Sequence, residues 1–237
     1  MGSKTCKPVI EATQVATLLK KHELAAIQKE FNSFAGDSGK ISKDKFITGF
    51  LRPMFGHLGF LVLERFFVVL DHNSNSTIEW GEFLCAFYLF FFGHQEDLMK
   101  LFFNLYDLQA CGKITKKEFK KIAIAMMQPS EPKPLKDEEK NANKNLKDKM
   151  KIFNPLVDMF VHMAMLNYDR KNEGSLSYNE WRRYAEEDDI IIMLLDTVKR
   201  TARARRKKER GHTHVDSVDA SEEKVAGSGR SPAKGKT

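Results

Sequence analysis

Apolar residues recur at spacings of three and four through most of the first 198 positions. Leu24, Ile27, Phe31 and Phe34 share one face of a helix over His22 to Phe34, because 3.6 residues per turn stacks such positions. Similar stripes run over Leu61 to Leu70, Leu98 to Tyr106, Lys117 to Met127, Pro155 to Leu166 and Trp181 to Val198. Clear strand alternation is absent. The pattern predicts an all-α chain whose helices are interrupted by short polar loops.

The interruptions repeat. Four segments share one shape: an apolar helix, a polar loop with an aliphatic residue near its end, then a second helix. The aliphatic residues are Ile41, Ile78, Ile114 and Leu176; the first three lie 37 and 36 residues apart and the last 62 further on. The extra length is Pro129 to Lys151, rich in Pro, Lys, Asn and Glu, which is expected to be a flexible, solvated insertion.

The second loop, Asp71 to Glu82, carries the most chemistry. A hard cation such as Ca²⁺ takes six to eight oxygens at about 2.3–2.6 Å. Asp71, Asn73 and Asn75 offer side-chain oxygens at positions one, three and five of twelve. Thr77 offers its carbonyl at position seven, Glu79 stands at position nine, and Glu82 at position twelve can clamp the ion with both carboxylate oxygens. Ile78 at position eight can pair with its counterpart in the neighbouring loop. Position six is Ser76 rather than glycine, and a left-handed residue there costs roughly 1–2 kcal/mol, which lowers the expected affinity about tenfold.

The other loops are poorer. The third keeps Asp107, Gly112, Ile114 and Glu118 but places Gln109 at position three and Cys111 at position five, and a thiol is a poor calcium ligand. Lys113, Lys116 and Lys117 add repulsion. The fourth keeps Asp169, Glu173, Gly174, Ser175, Leu176 and Glu180, with Lys171 where an oxygen should be; a weak site is expected. The first, from Phe34 or Ala35 to Lys45, lacks an acid at either end, reads as one residue short, and leaves Asp37 and Asp44 out of register. It is expected to complete a pair without metal.

With these residues in view, positions 17–198 resemble the four-EF-hand superfamily of calcineurin B and the neuronal calcium sensors. Leu101 to Glu118, with Leu105-Tyr106-Asp107-Leu108 and Gly112-Lys113-Ile114-Thr115, is similar to that family's third EF-hand. A smaller set is similar to the calaxin group of ciliary dynein-associated sensors: Glu79-Trp80, Phe90 to Glu96, Gln128-Pro129-Ser130-Glu131 and Glu186 to Leu195. The resemblance implies two lobes of paired repeats that regulate a protein target, with Ca²⁺ as the bound ion. The implied divisions are a flexible N-terminus over 1–16, a first lobe over 17–95, a second over 96–198 containing the insertion, and a basic, largely disordered tail over 199–237.

Charge sharpens the last division. Of 39 Lys and Arg, 12 lie from Lys199 onward, with 5 of the 32 Asp and Glu; the 27 of each that remain cancel, so the net +7 belongs to the tail. Lys199 to Arg210 has no interleaved aromatics for base stacking, so nucleic acid is not an expected partner; an anionic membrane or an acidic protein surface is. The helix is expected to extend no further than Gly211. Met1-Gly2-Ser3-Lys4-Thr5-Cys6 has the form of an acylation signal with Gly2 as the myristate acceptor and Cys6 as a palmitate acceptor, although Cys6 replaces the usual Ser or Thr.

The apolar run Phe83 to Phe92 has ten residues, about half a membrane span. A lobe of this size is not expected to bury all six of its rings, so some should line a groove for an amphipathic target helix. Met126, Met127, Met159, Met163 and Met165 supply adaptable apolar contacts in the second lobe. The polar start predicts no secretory leader, and three distant cysteines predict no disulfide framework. Nucleophile elbow, phosphate-cradling glycine loop and zinc spacing are all missing, so catalysis is not expected. A cytoplasmic sensor or adaptor, on a cilium or membrane, is the reading; the alternative is a scaffold subunit, for instance of an axoneme, with little calcium response.

Overall fold

The computed structural model describes residues 8–127 and 139–222, with side chains described over 8–126, 154–205 and 207. Ten helices and two short antiparallel ribbons make up the described chain. Helix α1 (Ala12–Leu18) precedes four helix–loop–helix repeats. The repeats are α2 (Lys21–Ala35) with α3 (Lys43–Phe55), α4 (Phe60–Leu70) with α5 (Trp80–Phe91), α6 (Gln95–Tyr106) with α7 (Lys116–Met127), and α8 (Glu139–Tyr168) with α9 (Tyr178–Ala185). Helix α10 (Asp189–Glu222) closes the described chain. The all-α reading and its paired repeats hold.

The aliphatic residues singled out by the repeat set the pairing. Strand β1 (Ile41–Ser42) runs antiparallel to β2 (Thr77–Ile78), with Ile41 opposite Ile78. Strand β3 (Lys113–Thr115) pairs with β4 (Ser175–Ser177), with Ile114 opposite Leu176. All four aliphatic side chains are fully buried. Each ribbon leaves one repeat with no open strand edge toward its neighbour, which fixes repeats one and two as one lobe and three and four as the other.

The register also places the first loop. With Ile41 at position eight, position one falls on Phe34, which is still inside α2, and a 3-10 turn follows over Gly36–Ser38, so the non-helical stretch is shorter than in the second loop. Its helix α3 is wound as a π-helix over Phe46–Leu51. Gly49 in that stretch faces Phe34, where a Cβ would stand 2.7 Å from a ring carbon.

The aromatic helix differs from its sequence expectation. Phe83, Phe87, Tyr88, Phe90 and Phe91 are all buried, and only Phe92 is partly exposed. The cover comes from outside the repeats. Helix α1 and the middle of α10 both pack on α5. Ile10, Val15 and Leu19 are buried there, and the Cys85 thiol donates to the Ile10 carbonyl at 3.2 Å. Residues 8–16 are therefore part of the first lobe's packing rather than a free N-terminus. From the other end, the Arg205 guanidinium lies 4.5 Å from the Phe87 ring centre and 4.9 Å from that of Phe91, and its Nη2 donates to Glu30 at 2.5 Å.

Two other expectations meet the described backbone. Residues 139–151 of the expected insertion are helical, as the start of α8, and α10 continues past Gly211 to Glu222. Gly2, Cys6, the linker residues 128–138 and the tail residues 223–237 lie outside the described residues.

The lobes share one continuous apolar core. Phe66 of α4 meets Phe102 of α6 edge-on, with ring centres 6.1 Å apart. In the second lobe Trp181 is fully buried between Phe103 and Tyr106. No single helix among the described residues is long and apolar enough to cross a membrane.

Candidate metal-binding loops

Helices α4 and α5 flank the second loop, so its donors sit between two rigid elements as the sequence predicts. The loop backbone is drawn around two carboxylates. Asp71 accepts the Asn75 and Ser76 amides at 3.1 and 2.9 Å. Glu82 accepts the Asn73 amide at 3.2 Å and the Glu79 amide at 3.0 Å. Both acids are more than nine-tenths buried. Burial raises the Glu82 carboxyl above the ordinary glutamate range, with the nearby Asp71 charge adding to it and the amide hydrogen bonds opposing it. Burial likewise lowers His72 below the usual histidine range.

The remaining donors are turned toward one another. The Asn75 side-chain oxygen accepts from the Thr77 amide at 2.8 Å and hydroxyl at 2.6 Å, and the Asn75 side-chain nitrogen donates to Glu79 at 3.0 Å. Asn73 Oδ1 accepts the Asn75 amide at 3.0 Å. Ser76 adopts the left-handed conformation that position six requires, with φ of 64°. Gly112 and Gly174, at the same position of the third and fourth loops, have φ of 79° and 69°. The serine therefore accepts backbone strain of roughly 1–2 kcal/mol to keep the twelve-residue loop shape. Among the described residues no three His, Cys, Asp or Glu side chains converge as a ligand cluster. That accords with the donor set, in which two positions are asparagines and one is a carbonyl. Donor type, spacing and backbone together fit a hard divalent ion.

The third and fourth loops share this scaffold with poorer donors. Asp107 accepts the Cys111 and Gly112 amides at 3.0 and 2.7 Å, and Asp169 accepts the Glu173 and Gly174 amides at 3.1 and 2.8 Å. Glu118 is held by the Gln109 amide and by the amide and hydroxyl of Thr115. Glu180 is held by the Arg170 amide and by the amide and hydroxyl of Ser177, and the Ser177 hydrogen bond lowers it below the ordinary glutamate range. The Cys111 sulfur stands 3.3 Å from the Lys113 carbonyl, within its own loop. Ser175 lies in β4 and Glu173 is ion-paired with Lys113.

The first loop holds its shape without an acid at either end. Ser38 Oγ donates to the Ala35 carbonyl at 2.7 Å. Lys45 stands at position twelve, where the second loop has Glu82, and its ammonium donates to the carbonyl of Phe34 at position one, at 3.4 Å. A tethered cation thus spans the two ends of this loop. Asp37 and Asp44 are exposed, at positions four and eleven.

Four basic residues matter here that the motif reading did not single out. Lys40 and Lys45 become visible only when the first loop is aligned on Ile41. Arg65 and Arg205 lie on helices and match no motif. Arg65 donates to the carbonyls of Asn104 and Asp107 at 2.8 and 2.7 Å from Nη2, and to that of Leu105 at 3.1 Å from Nε. It fastens the helix that enters the second loop to the helix end that enters the third.

Comparison with known proteins agrees with this geometry. No protein-family model matches the chain. A recoverin family protein of Dictyostelium discoideum is 26% identical over 199 residues, covering 81% of this chain and 87% of that protein. The calcium-binding protein NCSA of the same organism is 30% identical over 120 residues, 51% of this chain and 63% of NCSA. Calaxin of Xenopus laevis is 23% identical over 198 residues, covering 79% of this chain and 86% of calaxin. Repeats, ribbons, loop shape and relatives converge on one likeness: the chain is similar to the EF-hand calcium sensors of the calcineurin B and neuronal calcium sensor superfamily, and more weakly to calaxin.

Proposed function

We propose that the protein binds Ca²⁺ at Asp71–Glu82 and passes the occupancy of that loop to a protein target. The observation that carries this reading is the second loop itself. Oxygen donors stand at positions one, three, five, seven, nine and twelve between α4 and α5, on a backbone that keeps position six left-handed. Glu82 is the clamp, Asp71, Asn73 and Asn75 the side-chain ligands, the Thr77 carbonyl the backbone ligand, and Glu79 the outer acid. Asp169, Glu173, Ser175 and Glu180 would form a weaker site, and Asp107 with Glu118 the poorest.

The target face is argued from what the fold leaves open. The α5 aromatic face is covered by α1 and α10, so it serves a target only if that cover moves. On α8, Leu156, Met159, Met163 and Leu166 are each about half exposed or more and lie along one stripe. Beside them is a cavity of about 430 Å³ whose lining includes Phe160, Met163, Tyr168 and Tyr184 together with the acids Glu187 and Asp188. An amphipathic helix fits such a site, its apolar side on the methionines and basic side chains toward the two acids.

Calorimetry on the full chain tests the reading. Micromolar Ca²⁺ binding that is lost in Glu82→Gln supports the sensor. Silence at millimolar Ca²⁺ with the helical signal intact supports the second reading, a scaffold subunit such as an axonemal component. That second reading draws on the weaker likeness to calaxin and on the three loops whose ligand positions hold Lys45, Cys111 and Lys171. Cytoplasmic placement, acylation at Gly2 and Cys6, and an anionic surface for the basic tail belong to this proposal. An unmodified Gly2 in protein from the native cell would remove the first anchor.

A further inference from the structure

Two lysines occupy the same place in the two odd-numbered loops. Lys40 and Lys113 are each position seven, one residue before the aliphatic residue that pairs across the lobe. Each crosses the ribbon to a carboxylate of the partner loop. Lys40 Nζ is 2.7 Å from Glu79 Oε1, at position nine of the second loop. Lys113 Nζ is 2.5 Å from Glu173 Oε2, at position five of the fourth. Both acids belong to the donor sets assigned above.

We propose that Lys40 and Lys113 are tethered counter-ions by which each odd loop sets the cation affinity of its partner loop. The inference rests on the second loop being a calcium site. An ammonium is a compact point charge with three freely rotating donors. It can hold an outer carboxylate without imposing a coordination geometry, and it can swing away. A divalent ion entering the loop must bind against that charge and must compete for that carboxylate. In a solvent-exposed setting the repulsion lowers affinity by about five- to tenfold at low ionic strength and fades as salt rises. The first loop, which has no acid at either end, thereby acts on the adjacent site. A lysine at the same loop position also reaches a candidate donor of the partner loop in the second lobe, at position five rather than nine, which argues against an incidental surface pair.

The test is calcium calorimetry on the full chain at low and at physiological salt, comparing wild type, Lys40→Gln and Lys113→Gln. Lys40→Gln is expected to tighten the strongest site about fivefold at low salt, with the gap narrowing at physiological salt. Lys113→Gln is expected to tighten only the weaker event. Equal or weaker binding in Lys40→Gln overturns the proposal while leaving the site assignment standing. Wild type without measurable binding but Lys40→Gln with it supports the proposal. Absence of binding in both sinks the site assignment as well.

Discussion

The Arg65 guanidinium of α4 ends 2.7 Å from the carbonyl oxygen of Asp107, the first residue of the third loop. Asp71, at the other end of the short span from Arg65, begins the second loop. One part-buried side chain therefore joins the helix that enters the second loop to the second lobe through three carbonyls at a helix end, where a cation is favourable. Arg65→Met keeps the apolar stem and removes the donors. It is expected to destabilise the protein by about 2 kcal/mol, since three carbonyls lose a charged donor. Lysine is expected to recover only part of this, because it lacks the planar fork. Thermal unfolding checks both; an unchanged midpoint in Arg65→Met contradicts the clamp.

Arg205 ties α10 onto the rings of Phe87 and Phe91. Arg205→Ala is expected to cost about 1–2 kcal/mol from the lost cation–π and ion-pair contacts. Truncation before Lys199 goes further by uncovering the α5 face, and should raise the fluorescence of an apolar-surface dye several-fold. Dye binding no different from the full chain would show that α10 is not the cover.

Burial pushes the Cys85 thiol up to about 12. Only the thiolate attacks an alkylating reagent, so Cys85 stays a protonated, protected thiol across pH 7 to 9 and reacts only as pH approaches that raised value or when its cover opens. Cys111 is exposed and should label at once. Peptide-resolved alkylation reads the two sites separately, and deleting residues 1–19 should speed Cys85 at least tenfold. Equal rates in the intact protein would contradict the docking of α1.

Ser76 holds φ of 64° without the freedom of glycine. Ser76→Gly is expected to relieve about 1 kcal/mol of strain, offset in part by a more flexible unfolded chain. The midpoint of thermal unfolding should rise by a degree or more; a fall would mean the side chain contributes more than its backbone costs.

Much of this arrangement is legible from spacing alone, because a ribbon needs an aliphatic residue at a fixed loop position. Ile41, Ile78, Ile114 and Leu176 betray the repeats for that reason. The candidate loop donors are equally visible, since coordination chemistry restricts residue type. What spacing does not show is cover. Ala202 and Arg205 lie in a stretch dominated by charge, so α10 reads as solvated, yet an arginine stem and face can bury against rings. Helix α1 is too short for a periodic signal. The six-ring run was assigned a groove because only the repeats were counted as available to bury it. The exact ends of the first loop are not legible, because Phe34 and Lys45 carry no ligand to mark them and α2 runs on to Ala35.

The three acidic loops share one hydrogen bond, from the amide at position six to the aspartate at position one: Ser76 to Asp71 at 2.9 Å, Gly112 to Asp107 at 2.7 Å and Gly174 to Asp169 at 2.8 Å. Ligation of the aspartate polarises that bond, so each amide proton reports on its own loop. The most direct test is a calcium titration followed by residue-resolved amide resonances. The Ser76 amide should move first and saturate at micromolar Ca²⁺, Gly174 should follow at higher concentration, and Gly112 should stay in place. A Ser76 amide that does not move at millimolar Ca²⁺, or a Gly112 amide that moves before it, would contradict the assignment of Asp71–Glu82 as the calcium site.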